Sequence, residues 1–286
     1  MLHLHNTHAD ILIPDGVEQQ AALSRTTHLG ISAHQDDLEI LAFHGILQCF
    51  GMSNKWFSGV VCTDGAGSPR AGIYADYSDT DMQKVRLVEQ QTAAQVGKYA
   101  AMIQLGYPSK AIKDPQNSRV EADLVRLLEA TTPQVIYTHN PADKHATHVG
   151  VVVKVLNAIR KLPPNQRPQA VYGCEVWRDL DWMPDERKIV LDVSGRDNLA
   201  AALVGVYDSQ VAGGKRYDLA TLARRRANAT FLESHATDVM DSAIYAIDLT
   251  PVVRDDACDI LEFVSTMIDE FRAAVIQQLR QVSARK

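Results

Sequence analysis

The stretch Ile31-Ser32-Ala33-His34-Gln35-Asp36-Asp37-Leu38-Glu39 decides how this sequence is read. Leu29 and Ile31 lead into it, and the apolar run Ile40-Leu41-Ala42-Phe43 follows. That order reads as strand, tight turn, helix. In an open α/β sheet, the turn after such a strand faces the ligand crevice. This turn holds one imidazole and two adjacent carboxylates, with no Lys or Arg beside them in the sequence. Groups of that kind repel or desolvate one another unless a cation joins them. Two readings are open from the stretch alone. Either the turn is half of a metal site, or Asp36 or Asp37 simply caps the helix start.

The chain has 286 residues, enough to bury a sizeable core, and one domain over 1–286 is expected. A net charge of −6 with both signs scattered leaves no basic block, which argues against nucleic acid or an anionic membrane as partner. Cys49, Cys62, Cys174 and Cys258 are far apart and form no CxxC pair. A thiolate zinc site and a redox motif are therefore not indicated, and reduced thiols in a cytoplasmic protein are expected. The start, Met1-Leu2-His3-Leu4-His5-Asn6-Thr7-His8, has neither a cationic opening nor a long apolar run, so it does not read as a signal peptide. No apolar stretch approaches the ~20 residues of a membrane span. His3, His5 and His8 are read as a mobile or peripheral arm rather than a metal-binding tract.

Outward from the acidic turn, strands and helices alternate. The helix after it is expected over 38–50, closed by Gly51. A buried strand at 56–62 ends in the loop Thr63-Asp64-Gly65-Ala66-Gly67-Ser68-Pro69-Arg70. That loop lacks GxGxxG, so a dinucleotide is not supported. A helix over 79–96 is expected to share a face of Val85, Val88 and Val96. A short strand at 102–105 precedes an amphipathic helix marked by Val120, Leu124, Leu127 and Leu128. Strand 135–137 leads through the loop 138–144 to a helix bearing Val151, Val152, Val155 and Ile159. This alternation implies a mostly parallel sheet with helices on both faces, a Rossmann-like three-layer α/β fold. After residue 165 the pattern changes to an α+β extension. Strands 170–176 and 188–193 are expected to pair antiparallel, with helices near 195–207 and 218–230 and a strand at 244–249. In the last helix Ile260, Val264, Met267, Phe271, Val275 and Leu279 form one stripe, expected to pack on the body.

The segment Asn140-Pro141-Ala142-Asp143-Lys144-His145-Ala146-Thr147-His148 places two histidines three apart where a strand becomes a helix. Such a pair projects to one side. The junction lies at the same sheet edge as the acidic turn, so topology alone brings His34, His145 and His148 with Asp36 and Asp37 to one crevice. Two His and one carboxylate with an open position suit a catalytic zinc ion. The plainer reading, two histidines solvating a helix start, remains beside it.

The chain resembles the PIG-L/LmbE family of zinc-dependent N-deacetylases. Ala33-His34-Gln35-Asp36-Asp37 is similar to that family's A-H-P-D-D-E motif, with Gln35 in place of Pro and the acid one residue late at Glu39. His145-Ala146-Thr147-His148 is similar to its H-P-D-H motif, with Thr147 in place of Asp. The Thr63-Asp64-Gly65 loop, Arg86 with Glu89 and Gly97 on the second helix, and Tyr207-Asp208-Ser209-Gln210 resemble further family elements. The resemblance covers about 27–160 and fades over 165–286, which is expected to pack on that core.

The resemblance implies roles. His34, Asp37 and His148 would bind one Zn²⁺ per chain, although Fe²⁺ or Co²⁺ suit the same ligands. Asp36 would be the general base, and His145 would stabilise the oxyanion or act as an acid. With Thr147 unable to supply a charge, His145 is expected to be oriented by Asp143 or another group. Arg86 would contact the substrate, against the plain reading of a helix ion pair with Glu89. Apart from the resemblance, Arg70 in the Gly-rich loop is a candidate to bind a sugar hydroxyl or phosphate, against the plain reading of a solvated loop charge. His235 is read as structural. The implied activity is removal of acetyl from an N-acetylglucosamine-type amino sugar. The alternatives are a zinc amidase on another small N-acyl compound or a non-catalytic sugar-binding relative. A homo-oligomer is compatible with the sequence.

Overall fold

A computed structural model describes residues 2–283; Met1 of the N-terminal histidine-bearing stretch and residues 284–286 lie outside the described residues. In chain order the elements are β1 (Asp10–Leu12), α1 (Gln19–Ser24), β2 (His28–Ser32), α2 (Asp37–Leu41), α3 (Phe43–Cys49), β3 (Phe57–Thr63), α4 (Asp79–Val96) and β4 (Ala101–Tyr107). Next come α5 (Ser109–Lys113), α6 (Ser118–Thr131), β5 (Val135–His139), α7 (Ala146–Arg160), β6 (Ala170–Cys174), β7 (Lys188–Asp192), α8 (Asp197–Gly205) and α9 (Asp208–Val211). The chain then forms α10 (Tyr217–Phe231), β8 (Ala243–Asp248), α11 (Thr250–Arg254) and α12 (Ile260–Val282).

All eight strands form one sheet in the order β1-β4-β3-β2-β5-β6-β8-β7. β2 pairs in parallel with β3 and β5, and the parallel run extends to β4 and β6. β2 and β3 are buried at every position, the mark of strands covered on both faces. One face is covered by a cluster including Leu124, Val151 and Val155; the other by Leu38, Phe43, Tyr99 and Leu203. The fold is therefore the expected helix–sheet–helix arrangement. The strand order reverses between β2 and β5, so a crevice opens at their carboxyl ends.

Four expectations need correction. The helix after the acidic turn breaks at Ala42 into α2 and α3. α4 spans the expected residues, but its inward face is Met82, Arg86, Glu89, Gln90, Ala93 and Ala94, while Val88 is 56% exposed. Its polar residues face inward because they meet the acidic turn, so apolar spacing misplaced the face. β6 and β7 do not pair: β8 lies between them, antiparallel to both. β8 carries Ile244-Tyr245-Ala246-Ile247 and is almost wholly buried, whereas the half-exposed β7 tolerates the sheet edge. Finally, the apolar stripe of α12 is not core; Met267 is the helix's one buried residue.

The segment before residue 27, expected to be irregular, supplies edge strand β1 and helix α1. The histidine-bearing arm is pinned: the His5 backbone N–H donates to Asp123 Oδ1 at 2.7 Å, and Asn6 Nδ2 donates to the Leu105 carbonyl at 2.7 Å. Among the described residues, no helix is long and apolar enough to cross a membrane.

Candidate metal centre and its pocket

The acidic turn leaves β2 and enters α2 through Asp36, whose φ is +91°. That backbone is costly for a residue with a side chain and persists only where its surroundings fix it. Here they do. The Asp36 N–H donates to Gln90 Oε1 at 3.3 Å. Gln35 Nε2 donates to the Thr63 carbonyl at 3.2 Å and to Gln104 Oε1 at 3.1 Å. Gly65, at φ +74°, packs under the turn, where an added Cβ would come within 2.8 Å of Gln35 Oε1 and 2.9 Å of Arg86 Cβ. The capping alternative does not hold for Asp36, whose carboxylate caps nothing. Asp37 Oδ2 instead folds back to accept the His34 N–H at 2.7 Å.

That same Asp37 Oδ2 lies 3.1 Å from His34 Nδ1 and 3.3 Å from His148 Nε2, and the two nitrogens are 3.2 Å apart. Tetrahedral ligand atoms at ~2.0–2.1 Å from a zinc ion sit about 3.3 Å from one another, so the triangle fits such an ion. His148 is fully buried, and its Nδ1 is 3.2 Å from Asp143 Oδ2. A carboxylate behind a ligating imidazole fixes its tautomer and ring orientation. Asp143 thus orients the His148 ring. Its contact with His145 is to the backbone: Oδ1 accepts the His145 N–H at 3.0 Å. Of the expectation that Asp143 or another group orients His145, the structure shows Asp143 holding its backbone N–H and not its imidazole.

His145 stands beside the triangle, 5.0 Å from the His34 ring and 4.6 Å from the His148 ring, and its Nδ1 is buried without a partner among the described residues. Burial, with the neighbouring imidazoles His148 and His34, pulls its pKa down to about 4. His139, at the end of β5, stacks on His148 at 3.9 Å and lies 3.5 Å from Asp37 Oδ2. No motif marks it in the sequence, yet two groups among the described residues have ligand atoms close enough to hold a metal ion: His34, His145 and His148, and Asp37 and His148 with His139. Its Nε2 lone pair accepts the Ala33 N–H at 2.9 Å. The two adjacent carboxyls are driven in opposite directions. Burial pushes Asp36 up to about 6, although Arg86 restrains it. Burial also works against ionised Asp37, but His148 and His139 outweigh it and hold its pKa well below the usual range. Opposed carboxyl pKa values are the pattern expected when one acts as base and its neighbour stays ionised.

Arg86 supplies the cation that the local sequence lacked. Its Nη2 donates to Asp36 Oδ2 at 2.9 Å and to the Gln35 carbonyl, and its Nη1 donates to Glu89 Oε2 at 3.3 Å. Ser209 fastens Glu89, its N–H and hydroxyl each donating at 2.7 Å. Glu39 points away from the triangle and accepts from Tyr99 at 2.6 Å and Tyr207 at 2.5 Å. The Tyr207–Gln210 element thus braces Arg86 and the helix start from behind.

The triangle opens into a cavity of about 540 Å³ lined by His34, Asp36, Asp37, Arg86 and His145. Its other wall comes from the divergent part of the chain: Trp177, Gln210, Lys215, Tyr217, Thr221 and Arg224. The Tyr217 ring meets Trp177 edge-on at 5.9 Å, and Lys215 Nζ sits 5.0 Å over the same indole. Of this wall the sequence marked only Gln210, through the Tyr207–Gln210 element; no motif marks Trp177, Lys215, Tyr217, Thr221 or Arg224. Arg70 is not part of the lining. Its guanidinium is taken up by Asp79 and by the Ala66 carbonyl, which corrects its reading as a substrate contact. His235 lies on an exposed loop away from the cavity.

The chain was compared with known proteins. No curated protein matches it. Solved structures with the same fold include the conserved protein TT1542 from Thermus thermophilus, at 18% identity and TM-score 0.59, covering 78% of this chain and 94% of that one. The 4-carboxy-2-hydroxymuconate hydratase GalB from Pseudomonas putida is similar at 14% identity and TM-score 0.58, covering 78% and 96%. The N,N'-diacetylchitobiose deacetylase from Pyrococcus horikoshii is similar at 15% identity and TM-score 0.59, covering 77% and 83%. A family model described as PIG-L, GlcNAc-PI de-N-acetylase, matches residues 29–159, the span that carries both histidine motifs. The resemblance read from those motifs therefore stands: residues 29–159 match the PIG-L family model.

Proposed function

We propose that this protein hydrolyses the acetamide of an N-acetylated amino sugar, giving acetate and the free amine. The observation that carries the reading is the division of labour between Asp36 and Asp37. Asp37 Oδ2 lies within 3.3 Å of both His34 and His148, while the Asp36 carboxylate stays outside that triangle and faces the cavity. A purely structural or storage site has no use for a second, separately held carboxylate. The family match and the fold shared with a deacetylase of N,N'-diacetylchitobiose support the same reading.

His34 Nδ1, Asp37 Oδ2 and His148 Nε2 would hold one divalent cation, Zn²⁺ by their mixed nitrogen and carboxylate character. Bound there, the ion supplies Lewis-acid polarisation of the scissile carbonyl and lowers the pKa of the attacking water. Asp36 takes the proton from that water as its oxygen bonds to the carbonyl carbon. The C–N bond then breaks, and the proton passes from Asp36 to the departing amine nitrogen. A neutral His145 imidazole carries one N–H, enough to donate to the oxyanion. Arg86 keeps Asp36 ionised and aimed, and its buried guanidinium borders the cavity. Trp177 and Tyr217 offer flat apolar faces of the kind that cover a sugar ring. The described cysteines are all unpaired, which supports a cytoplasmic setting.

The test is acetate release by zinc-loaded protein from N-acetylglucosamine, N,N'-diacetylchitobiose and an N-acetyl amino acid. Release from the sugars, abolished in Asp36→Asn, is the expected result. Release from the amino acid alone would move the substrate to another small amide. No release from any of the three overturns the deacetylase reading.

A further inference from the structure

The last helix carries an apolar surface that the fold leaves uncovered. α12 has 23 residues, a rod of about 34 Å. Its first half is anchored: Met267 is buried, and Ile260 and Phe263 pack on the core. Phe271 meets the Trp182 ring edge-on at 6.4 Å, and Arg187 pairs with Glu270. From Phe271 to Val282 every residue is exposed, so the second half of the helix stands clear of the body. A helical segment of about 12 residues is marginal in water unless something packs against it.

The exposed surface has a period. Leu261, Ile268, Val275 and Val282 recur every seven residues, with Leu279 beside them. Leu261 is 75% exposed, Leu279 57% and Val282 76%. A seven-residue apolar repeat with β-branched residues along it is the seam of a left-handed helix pair. The charges are also ordered. Glu262, Asp269 and Glu270 lie in the first half, and Arg272 and Arg280 in the second. Glu270 pairs with Arg187 and Asp269 with Arg272. Among the described residues, Glu262 and Arg280 are left for another partner at the two ends of the stripe.

We propose that α12 is a self-association surface: two copies of this chain pair through α12, antiparallel about a twofold axis. Two features select a second copy over an unrelated partner. An isologous contact requires a surface complementary to itself, and an acidic half followed by a basic half is self-complementary when the helices run in opposite directions. The apolar repeat obeys the same symmetry. Setting Leu261 against Val282 of the second copy sets Ile268 against its Val275 and brings Glu262 beside its Arg280. The projecting half of each helix then lies along the anchored half of the other, which covers the stripe and the otherwise unsupported last turns.

Sedimentation equilibrium of the full chain tests this. The wild-type protein is expected to be a dimer that dissociates on dilution, with the helix signal in circular dichroism falling as it does. Val275→Glu or Ile268→Glu, at exposed positions that leave the fold intact, should weaken dimerisation by about a hundredfold or more. Glu262→Arg and Arg280→Glu should each weaken it about three- to tenfold, since each removes two symmetry-related pairs. The double variant should recover most of that loss. A wild-type monomer at all concentrations, or a dimer indifferent to Val275→Glu, overturns the proposal. Failure of the double charge reversal to rescue overturns the antiparallel pairing.

Discussion

The Asp36 carboxylate and the Arg86 guanidinium lie 50 residues apart in the chain and meet at 2.9 Å in the buried floor of the cavity. This pair decides whether Asp36 can serve as a base, because burial alone pushes a carboxyl toward its neutral form. Replacing Arg86 by Lys keeps a cation but loses the planar fork that holds Asp36, Glu89 and the Gln35 carbonyl together. The Asp36 pKa should then rise above its value of about 6, and the acidic limb of the kcat/KM profile should move to higher pH. A profile whose acidic limb stays in place would show that Arg86 serves the fold alone.

Asp36 and Asp37 should fail differently despite being neighbours. Asp37→Asn removes a charged ligand, so metal content and activity should fall together. Asp36→Asn should retain the metal and lose ~10²–10⁴ in rate, the usual cost of a positioned base. Elemental analysis beside acetate release separates the two. A metal-free Asp36→Asn would mean that the two carboxylates have exchanged roles.

Asp143 supports the cluster from behind: it lies 3.2 Å from His148 Nδ1 and accepts the His145 N–H at 3.0 Å and the Trp177 N–H at 3.2 Å. Its replacement by Asn should weaken metal affinity about 10–100-fold while leaving the ligands in place. Activity should therefore return at excess zinc. Activity that stays low at saturating metal would count against an orienting role.

Trp177 and Tyr217 form the wall contributed by the divergent part of the chain. Under the proposed function, Trp177→Ala should raise KM about tenfold with a smaller change in kcat, because the indole is 6.5 Å from the His145 ring and has no proton to move in the reaction. An unchanged KM for every amino-sugar substrate would remove this wall from the binding site.

His44 sits far from the chemistry, with Nδ1 2.8 Å from the Tyr137 hydroxyl, and burial pulls its pKa down to about 4. The unfolded chain binds a proton there near pH 6.5 and the folded chain does not, so stability is complete above that pH and is lost as pH falls toward 4. The contribution is ~2 kcal/mol between pH 8 and pH 5. Urea unfolding of wild type and His44→Gln at the two pH values should show a smaller pH dependence in the variant. Equal dependence in both proteins would assign the acid sensitivity to other groups.

Much of this protein was legible before any coordinates. Strand-to-turn-to-helix punctuation placed the acidic turn and the second histidine pair at the ends of β2 and β5, because a parallel sheet puts consecutive strand ends on one edge. Period-two and period-3.6 patterns located the elements on either side. What they could not supply were relationships between residues remote in sequence. The Asp36–Arg86 pair, the Asp143 brace behind His148 and the use of the His139 lone pair by the Ala33 N–H each depend on packing across elements, where no local pattern applies. α4 was assigned the wrong face because its inward side meets charged groups rather than oil. β8 entered between β6 and β7 because burial on both faces favours the more apolar strand, a competition that neither partner's sequence reveals alone. In α12 the sequence showed an apolar stripe, and only the tertiary structure showed that the body does not reach it. The sequence by itself determined the fold class and the residue types at the site, since both follow from local spacing. The tertiary structure decided which carboxylate is paired, which imidazoles are free and which apolar faces are covered, since those depend on how far apart the folded chain holds its atoms.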